Sequence, residues 1–173
     1  MGYSGGTKPN PSYTDLGDHT ETLQLDFDPA TTDYAALLQV FWAAHDPTEK
    51  CGSTQYMPVI FYHDESQKKL AEQTRAAEAA RRGETIHTEI RPASAFTLAE
   101  DYHQKYFLRS DALLYKEIAH HYPKTADLIR STAAARLNGY VGGYGNLAGL
   151  KAEIDSLGLT AAGRSRLLAL VKK

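Results

Sequence analysis

The sequence predicts an α/β two-layer sandwich with a small sheet and a helical carboxyl-terminal part. Short β-branched and aromatic stretches alternate with long amphipathic ones in the order βαβαβ through the first half of the chain. The connections between the strands are long enough to be helical crossovers. Beyond them every periodic segment is helical.

The chain opens "MGYSGGTKPNPSYTDLGDHTE", a polar stretch dense in Gly, Tyr, His and acid, where an amino terminus is ordinarily loose and solvated. In "TLQLDFD", Leu23, Leu25 and Phe27 alternate with Gln24, Asp26 and Asp28, which predicts a half-buried first strand ended by Pro29. "TTDYAALLQVFWAAHDP" places Tyr34, Leu37, Leu38, Phe41 and Trp42 at helical spacing up to the stop at Pro47. Val59 to Tyr62 read as a buried strand. Asp64 or Ser66 then caps a helix from about Glu65 to Arg82, closed by Gly83. "TIHTEIRP" alternates again, with Ile86, Thr88 and Ile90 on one face and His87 and Glu89 on the other. Helices are expected over 98–108, 112–120, 124–137, 146–157 and 160–171. The glycine-rich "LNGYVGGYGN" reads as a hinge before the last two, which form a subdomain or flap packed together or onto the main body. Past Asp155 there is no acid, and Arg164, Arg166, Lys172 and Lys173 suit a solvated helix end.

At 173 residues the chain suits one globular domain with a helical appendage, and a net charge of −2 gives no electrostatic reason to expect nucleic acid or an acidic membrane. With no apolar run near the ~20 residues of a membrane span and no basic-plus-apolar leader, a cytoplasmic monomer is expected. The one cysteine, Cys51, cannot form an intramolecular disulfide.

Three clusters can carry chemistry. Tyr3, His19 and Glu21, with Tyr13 nearby, form the first. A carboxyl on Glu21 can point into a cleft and donate a proton, or it can be an exposed group beside a turn. "HDPTEKCGSTQY" supplies His45, Asp46, Cys51, Gln55 and Tyr56 from a turn that leads into a strand. Cys51 is a candidate nucleophile or an inert thiol. In "AEDYHQKYF", a carboxylate could orient His103, or the acids could simply suit a helix start. No histidine has metal-ligand spacing, and no cofactor is called for.

Taken in order, "GYSGGTKPNPSYTDLGDHTE", "YAALLQVFWAAHDPT", "STQYMPVIFYHDESQ" and "AEDYHQKYF" resemble the A-type peptide-methionine sulfoxide reductases over about residues 2 to 108. The resemblance implies a ferredoxin-like two-layer sandwich with a small mixed sheet. Residues 1–110 would be the reductase-like domain and 111–173 a helical extension. It also implies reduction of methionine-S-sulfoxide, free or in oxidised proteins, with thioredoxin or another thiol reductant. In that family a thiolate or selenolate attacks the sulfoxide sulfur while a glutamic acid and two tyrosines bind the oxygen, here Glu21, Tyr3 and Tyr56. His19, Asp46, Gln55 and His103 are carried as substrate-binding candidates. The family's Gly-Cys-Phe-Trp nucleophile segment has no counterpart in residues 1–173, and Phe41-Trp42 sits inside a helix. Three expectations compete: a truncated reading of a selenocysteine-containing gene, a sulfoxide-binding pseudo-enzyme, and Cys51 as a replacement nucleophile.

Overall fold

The computed structural model describes residues 1–171, which divide into two compact units, Met1–Ala99 and Glu100 onward. Lys172 and Lys173, read above as part of a basic helix end, lie outside the described residues. The mixed α/β character expected from the sequence is present, with small sheets in the first unit and helices forming the second.

Strands β1 (Gly2–Ser4), β2 (Thr20–Thr22) and β5 (Thr97–Leu98) form one antiparallel sheet in the order β2-β1-β5. The strand expected over Leu23 to Phe27 is displaced to β2. Its register pairs Gly2 with Thr22, so Leu23 and the residues after it run past the end of β1. Leu23 and Leu25 are 60% and 54% exposed, so their alternation is not a buried face.

β3 (Val59–Tyr62) and β4 (Glu89–Pro92) pair in parallel, joined by helix α2 (Glu65–Arg82). The second half of "TIHTEIRP" forms the strand. Thr88 is buried and Ile86 and Ile90 pack on the core, as the alternation predicts. Asp64, rather than Ser66, caps α2 by accepting from the Gln67 amide at 2.9 Å, and Gly83 closes it at φ 69°. Helix α1 (Tyr34–Ala43) is capped by Asp33, which accepts from the Ala36 amide at 2.8 Å. Leu38 and Trp42 of α1 meet Ile60 of β3 and Ala71 of α2 in one core cluster.

In the second unit the helix expected over Leu98 to Leu108 breaks. A 3-10 turn at Asp101–His103 is followed by α3 (Tyr106–Ser110), because Lys105 between them takes a left-handed conformation at φ 53°. α4 (Ala112–His121) forms as expected. The helix read over 124–137 is two, α5 (Thr125–Arg130) and α6 (Thr132–Val141). Ser131 divides them: at ψ 120° it leaves the helical region, and its hydroxyl caps α6 by accepting from the Ala134 amide at 3.0 Å. α7 (Leu147–Glu153) and α8 (Ala161–Val171) complete the unit.

The last two helices do not stand apart as a flap. Leu150 and Leu167 are fully buried in the same cluster as Leu108, Leu114 and Leu137. Nor is the helix end simply solvated. Arg166 pairs with Asp111 at 2.8 Å, Arg164 pairs with Asp155, and Glu117 of α4 accepts from the Thr160 amide and hydroxyl at 2.9 and 2.6 Å. No helix among the described residues is long and apolar enough to cross a membrane.

In urea denaturation followed by helical circular dichroism, Leu137→Ala is expected to destabilise the second unit by about 2–5 kcal/mol. Ser131→Ala costs about 1 kcal/mol through the lost cap.

Candidate functional site

The site is built on the middle residue of β1. Tyr3 lies opposite Glu21 of β2 and Thr97 of β5. Directly opposed residues of antiparallel strands share one sheet face with Cβ atoms ~4.5–5.5 Å apart. The tyrosine and the acid, eighteen positions apart in sequence, are thereby neighbours. Tyr3 is 2% exposed and packs with Leu16 and Ala99.

The turn before β3 is tied to β2 by three bonds. The Glu21 amide donates to the Gln55 carbonyl at 2.9 Å, and the Thr20 hydroxyl donates to the Thr54 carbonyl at 2.8 Å. The Gln55 side chain closes the junction, with Nε2 donating to Glu21 Oε1 at 2.8 Å. Tyr56 follows, 58% exposed and hydrogen-bonded to Tyr13. That bond, then burial and the nearby Glu21 charge, push the Tyr56 hydroxyl above its ordinary value, while its hydrogen bond with Gln55 pulls the other way. Tyr56 therefore stays protonated throughout the physiological range, a standing donor.

A glycine-rich loop leads out of β1, and Asp18 and His19 clamp it. The Asp18 carboxylate accepts from the Thr7 amide at 2.8 Å, the Lys8 amide at 3.0 Å and the Thr7 hydroxyl at 2.8 Å. These bonds, the Thr7 amide first, hold its carboxyl well below the usual carboxylate range. His19 is buried; its Nδ1 accepts from the Gly6 amide at 3.3 Å, so Nε2 carries the proton and donates to the Lys8 carbonyl at 2.8 Å. Glycine is required at two points. A Cβ on Gly6 would lie 2.6 Å from Asp18 Oδ1, and Gly5, at φ +83°, passes under the Phe61 ring of β3. On the other side the Ser4 hydroxyl donates to the Ala95 carbonyl at 3.2 Å.

The structure thus gathers Tyr3, Glu21, Gln55 and Tyr56 and gives other candidates different surroundings. Both ring nitrogens of His19 are taken by the loop backbone. Asp46 accepts from the Thr48 amide and hydroxyl and pairs with Arg82 of α2 at 3.2 Å. The Thr48 bonds lower its pKa first, with Arg82 adding to them. Cys51 is exposed, its thiol donating to the Ser53 carbonyl at 3.3 Å, and it lines an open cavity of ≈ 390 Å³ with Lys50, His87 and Arg91. His103 belongs to the second unit, its Nε2 3.9 Å from Glu100 Oε2 and its ring 4.2 Å from that of Tyr102. Among the described residues no three His, Cys, Asp or Glu side chains converge to hold a metal. Sequence reasoning left out Asp18 and gave Tyr13 no role. The signal for Asp18 was available: a loop with consecutive glycines exposes amide donors that need a fixed acceptor.

The chain matches the family model described as "Peptide methionine sulfoxide reductase" over residues 1–137, and a second, "Selenoprotein methionine sulfoxide reductase A, helical domain", over residues 125–163. The likeness therefore runs well past Leu108, where the motifs alone ended it, because short helices carry no comparable motif. Relatives include a peptide methionine sulfoxide reductase of Drosophila melanogaster, 38% identical over 95% of this chain and 66% of its own length. Another is peptide methionine sulfoxide reductase A5 of Oryza sativa subsp. japonica, 40% identical over 81% of this chain and 57% of its own. A third, from Listeria monocytogenes strain HCC23, is 41% identical over 64% of this chain and 69% of its own. The chain spans less than two thirds of the length of the first two.

Asp18→Asn is expected to raise amide hydrogen-exchange rates at Thr7 and Lys8 by about tenfold at neutral pH, read by NMR. A carboxylate held below its unfolded value stabilises above that value and loses the effect as pH falls through the folded one. The wild-type loop should therefore loosen only below about pH 4.

Proposed function

The chain belongs to the peptide methionine sulfoxide reductase family, and on that premise we propose that β1, β2 and the turn before β3 form the wall that binds the oxygen of methionine-S-sulfoxide. The observation that carries the reading is the convergence of Tyr3, Glu21 and Tyr56 on one junction from three separate segments. A sulfoxide oxygen is a strong hydrogen-bond acceptor that carries no proton, so its natural complement is a set of donors. Tyrosine hydroxyls donate at neutral pH, and a protonated glutamic acid both donates a hydrogen bond and delivers a proton.

Reduction of the sulfoxide releases one water and consumes two electrons and two protons. In the proposed cycle two thiols, or a selenol and a thiol, supply the electrons and end as a disulfide or selenosulfide. Attack on sulfur weakens the S–O bond as charge builds on oxygen, and donors already in place stabilise that charge. Glu21 gives the proton, while Tyr3 and Tyr56 hold the oxygen. The nucleophile is a thiolate or selenolate outside this wall, delivered to the face of sulfur opposite the oxygen. Cys51, exposed and with its thiol donating to the Ser53 carbonyl, is not assigned that role in this reading. Thioredoxin or a similar thiol reductant, a cytoplasmic setting, and a ferredoxin-like sandwich for the α/β unit complete the proposal.

NMR titration of residues 1–173 with the two epimers of methionine sulfoxide tests the reading. The S epimer is expected to shift Glu21 and Tyr56 resonances and to bind at least about fivefold more tightly than the R epimer, the value of about one hydrogen bond. Tyr56→Phe should remove most of that preference, and Cys51→Ser none of it. Equal binding of both epimers, or loss of preference with Cys51→Ser, overturns the assignment.

A further inference from the structure

Gln55 stood among the candidates for touching substrate, yet its side-chain amide is committed elsewhere. Nε2 donates to Glu21 Oε1 at 2.8 Å, and the Gln55 carbonyl accepts from the Glu21 amide at 2.9 Å. One residue therefore grips both the backbone and the carboxyl of the same acid. The grip is stiffened next door, where the Thr20 hydroxyl donates to the Thr54 carbonyl at 2.8 Å. The Gln55 side chain also hydrogen-bonds Tyr56, so it lies between the two proton-bearing groups of the wall.

A carboxyl group can pass a proton to substrate only from the oxygen that faces it. In a neutral carboxyl the carbonyl oxygen is a better acceptor than the hydroxyl oxygen, so the Gln55 N–H that donates to Oε1 favours Oε1 as the carbonyl and Oε2 as the oxygen that would bear a proton. Without the amide, Glu21 could place its proton on either oxygen and turn about its terminal torsion, which is broad and roughly two-fold in an unrestrained side chain.

We infer that Gln55 is a positioning residue, one that occupies Oε1 of Glu21 so that the proton is carried on Oε2 and offered to the sulfoxide oxygen. The inference rests on the reading of this wall as a sulfoxide-oxygen site and says how its acid is aimed. Gln55 acts through Glu21 and makes no contact with substrate.

Epimer selectivity separates this role from a structural one, because the two sulfoxides differ only in where the oxygen points. The test measures binding of methionine-S-sulfoxide and methionine-R-sulfoxide by NMR titration for the wild type, Gln55→Ala, Gln55→Glu and, as a control, Glu21→Gln. Gln55→Glu keeps the size of the side chain and replaces its donor with an acceptor, so it reports on the hydrogen bond even if Gln55→Ala disturbs the turn. Both Gln55 variants should weaken S-epimer binding by about fivefold, the value of about one hydrogen bond, and leave R-epimer binding unchanged, so that the epimer preference is largely lost. Variants that retain the wild-type ratio, or that weaken both epimers equally, overturn the positioning role. If the wild type shows no preference, the underlying assignment of the wall fails. If the wild type is selective and Glu21→Gln abolishes the preference while the Gln55 variants keep it, only the positioning role fails.

Discussion

Everything proposed for this chain depends on one pairing, Tyr3 of β1 against Glu21 of β2. A slip of one residue in that register would send the two side chains to opposite faces of the sheet and dismantle the site. β1 is three residues long and β5 two, so the ladder itself holds the register weakly. Polar clamps at its edge do the rest. Asp18 and His19 fasten the loop that leaves β1, and Ser4 fastens the strand to the backbone at Ala95. Because Asp18 and His19 immediately precede β2, the same two residues that restrain the loop also set where Glu21 falls.

That arrangement explains a division of labour among similar residues. Histidine and aspartate next to a proposed acid invite a catalytic reading, but His19 is taken by a backbone amide and carbonyl, and Asp18 by two backbone amides and the Thr7 hydroxyl. What the proposal leaves for substrate is Tyr3, Glu21 and Tyr56. Tyr56 keeps its proton because Tyr13, burial and the Glu21 charge all favour the neutral phenol. Phenol hydroxyls that keep their protons suit an uncharged, strongly accepting ligand. An anionic substrate would instead favour paired cations, and the cations Arg82 and Arg91 are spent on Asp46, Glu78 and Glu89.

Longer elements were legible in the sequence because they repeat a pattern enough times to be seen. α1, α2, α4 and β3 fall where periodicity, caps and prolines place them. β1 and β5 are too short to show any period, and their residues become strands only because they meet one another and β2 in space. The opposite error occurred at Leu23 to Phe27, where three alternating apolar residues imitate a strand that has no partner in the described sheet. Ser131 and Lys105 broke expected helices for local reasons, a competing side-chain cap and a left-handed backbone, that helical periodicity does not register. Tyr3, Glu21 and Tyr56 stood out in two separate clusters and took their proposed roles from the resemblance, but their convergence was not legible by spacing. The linking role of Gln55 was invisible, since nothing in a sequence says which acceptor an amide will find.

The two units are held by different physics, and the difference bears on where chemistry can sit. The second is built around one continuous apolar cluster in which Leu108, Leu114, Ile118, Leu137, Leu150 and Leu167 are fully buried. Such a core opens cooperatively and seldom, because no part of its apolar contact is given up cheaply. The first unit has smaller clusters, one of four buried residues including Trp42 and one of three including Tyr3, and makes up the difference with directional bonds in its loops. Directional bonds fix the aim of a side chain more tightly than apolar contact does, and each can be broken alone. The sulfoxide recognition proposed for the first unit needs that kind of order, a few donors fixed in angle around one oxygen.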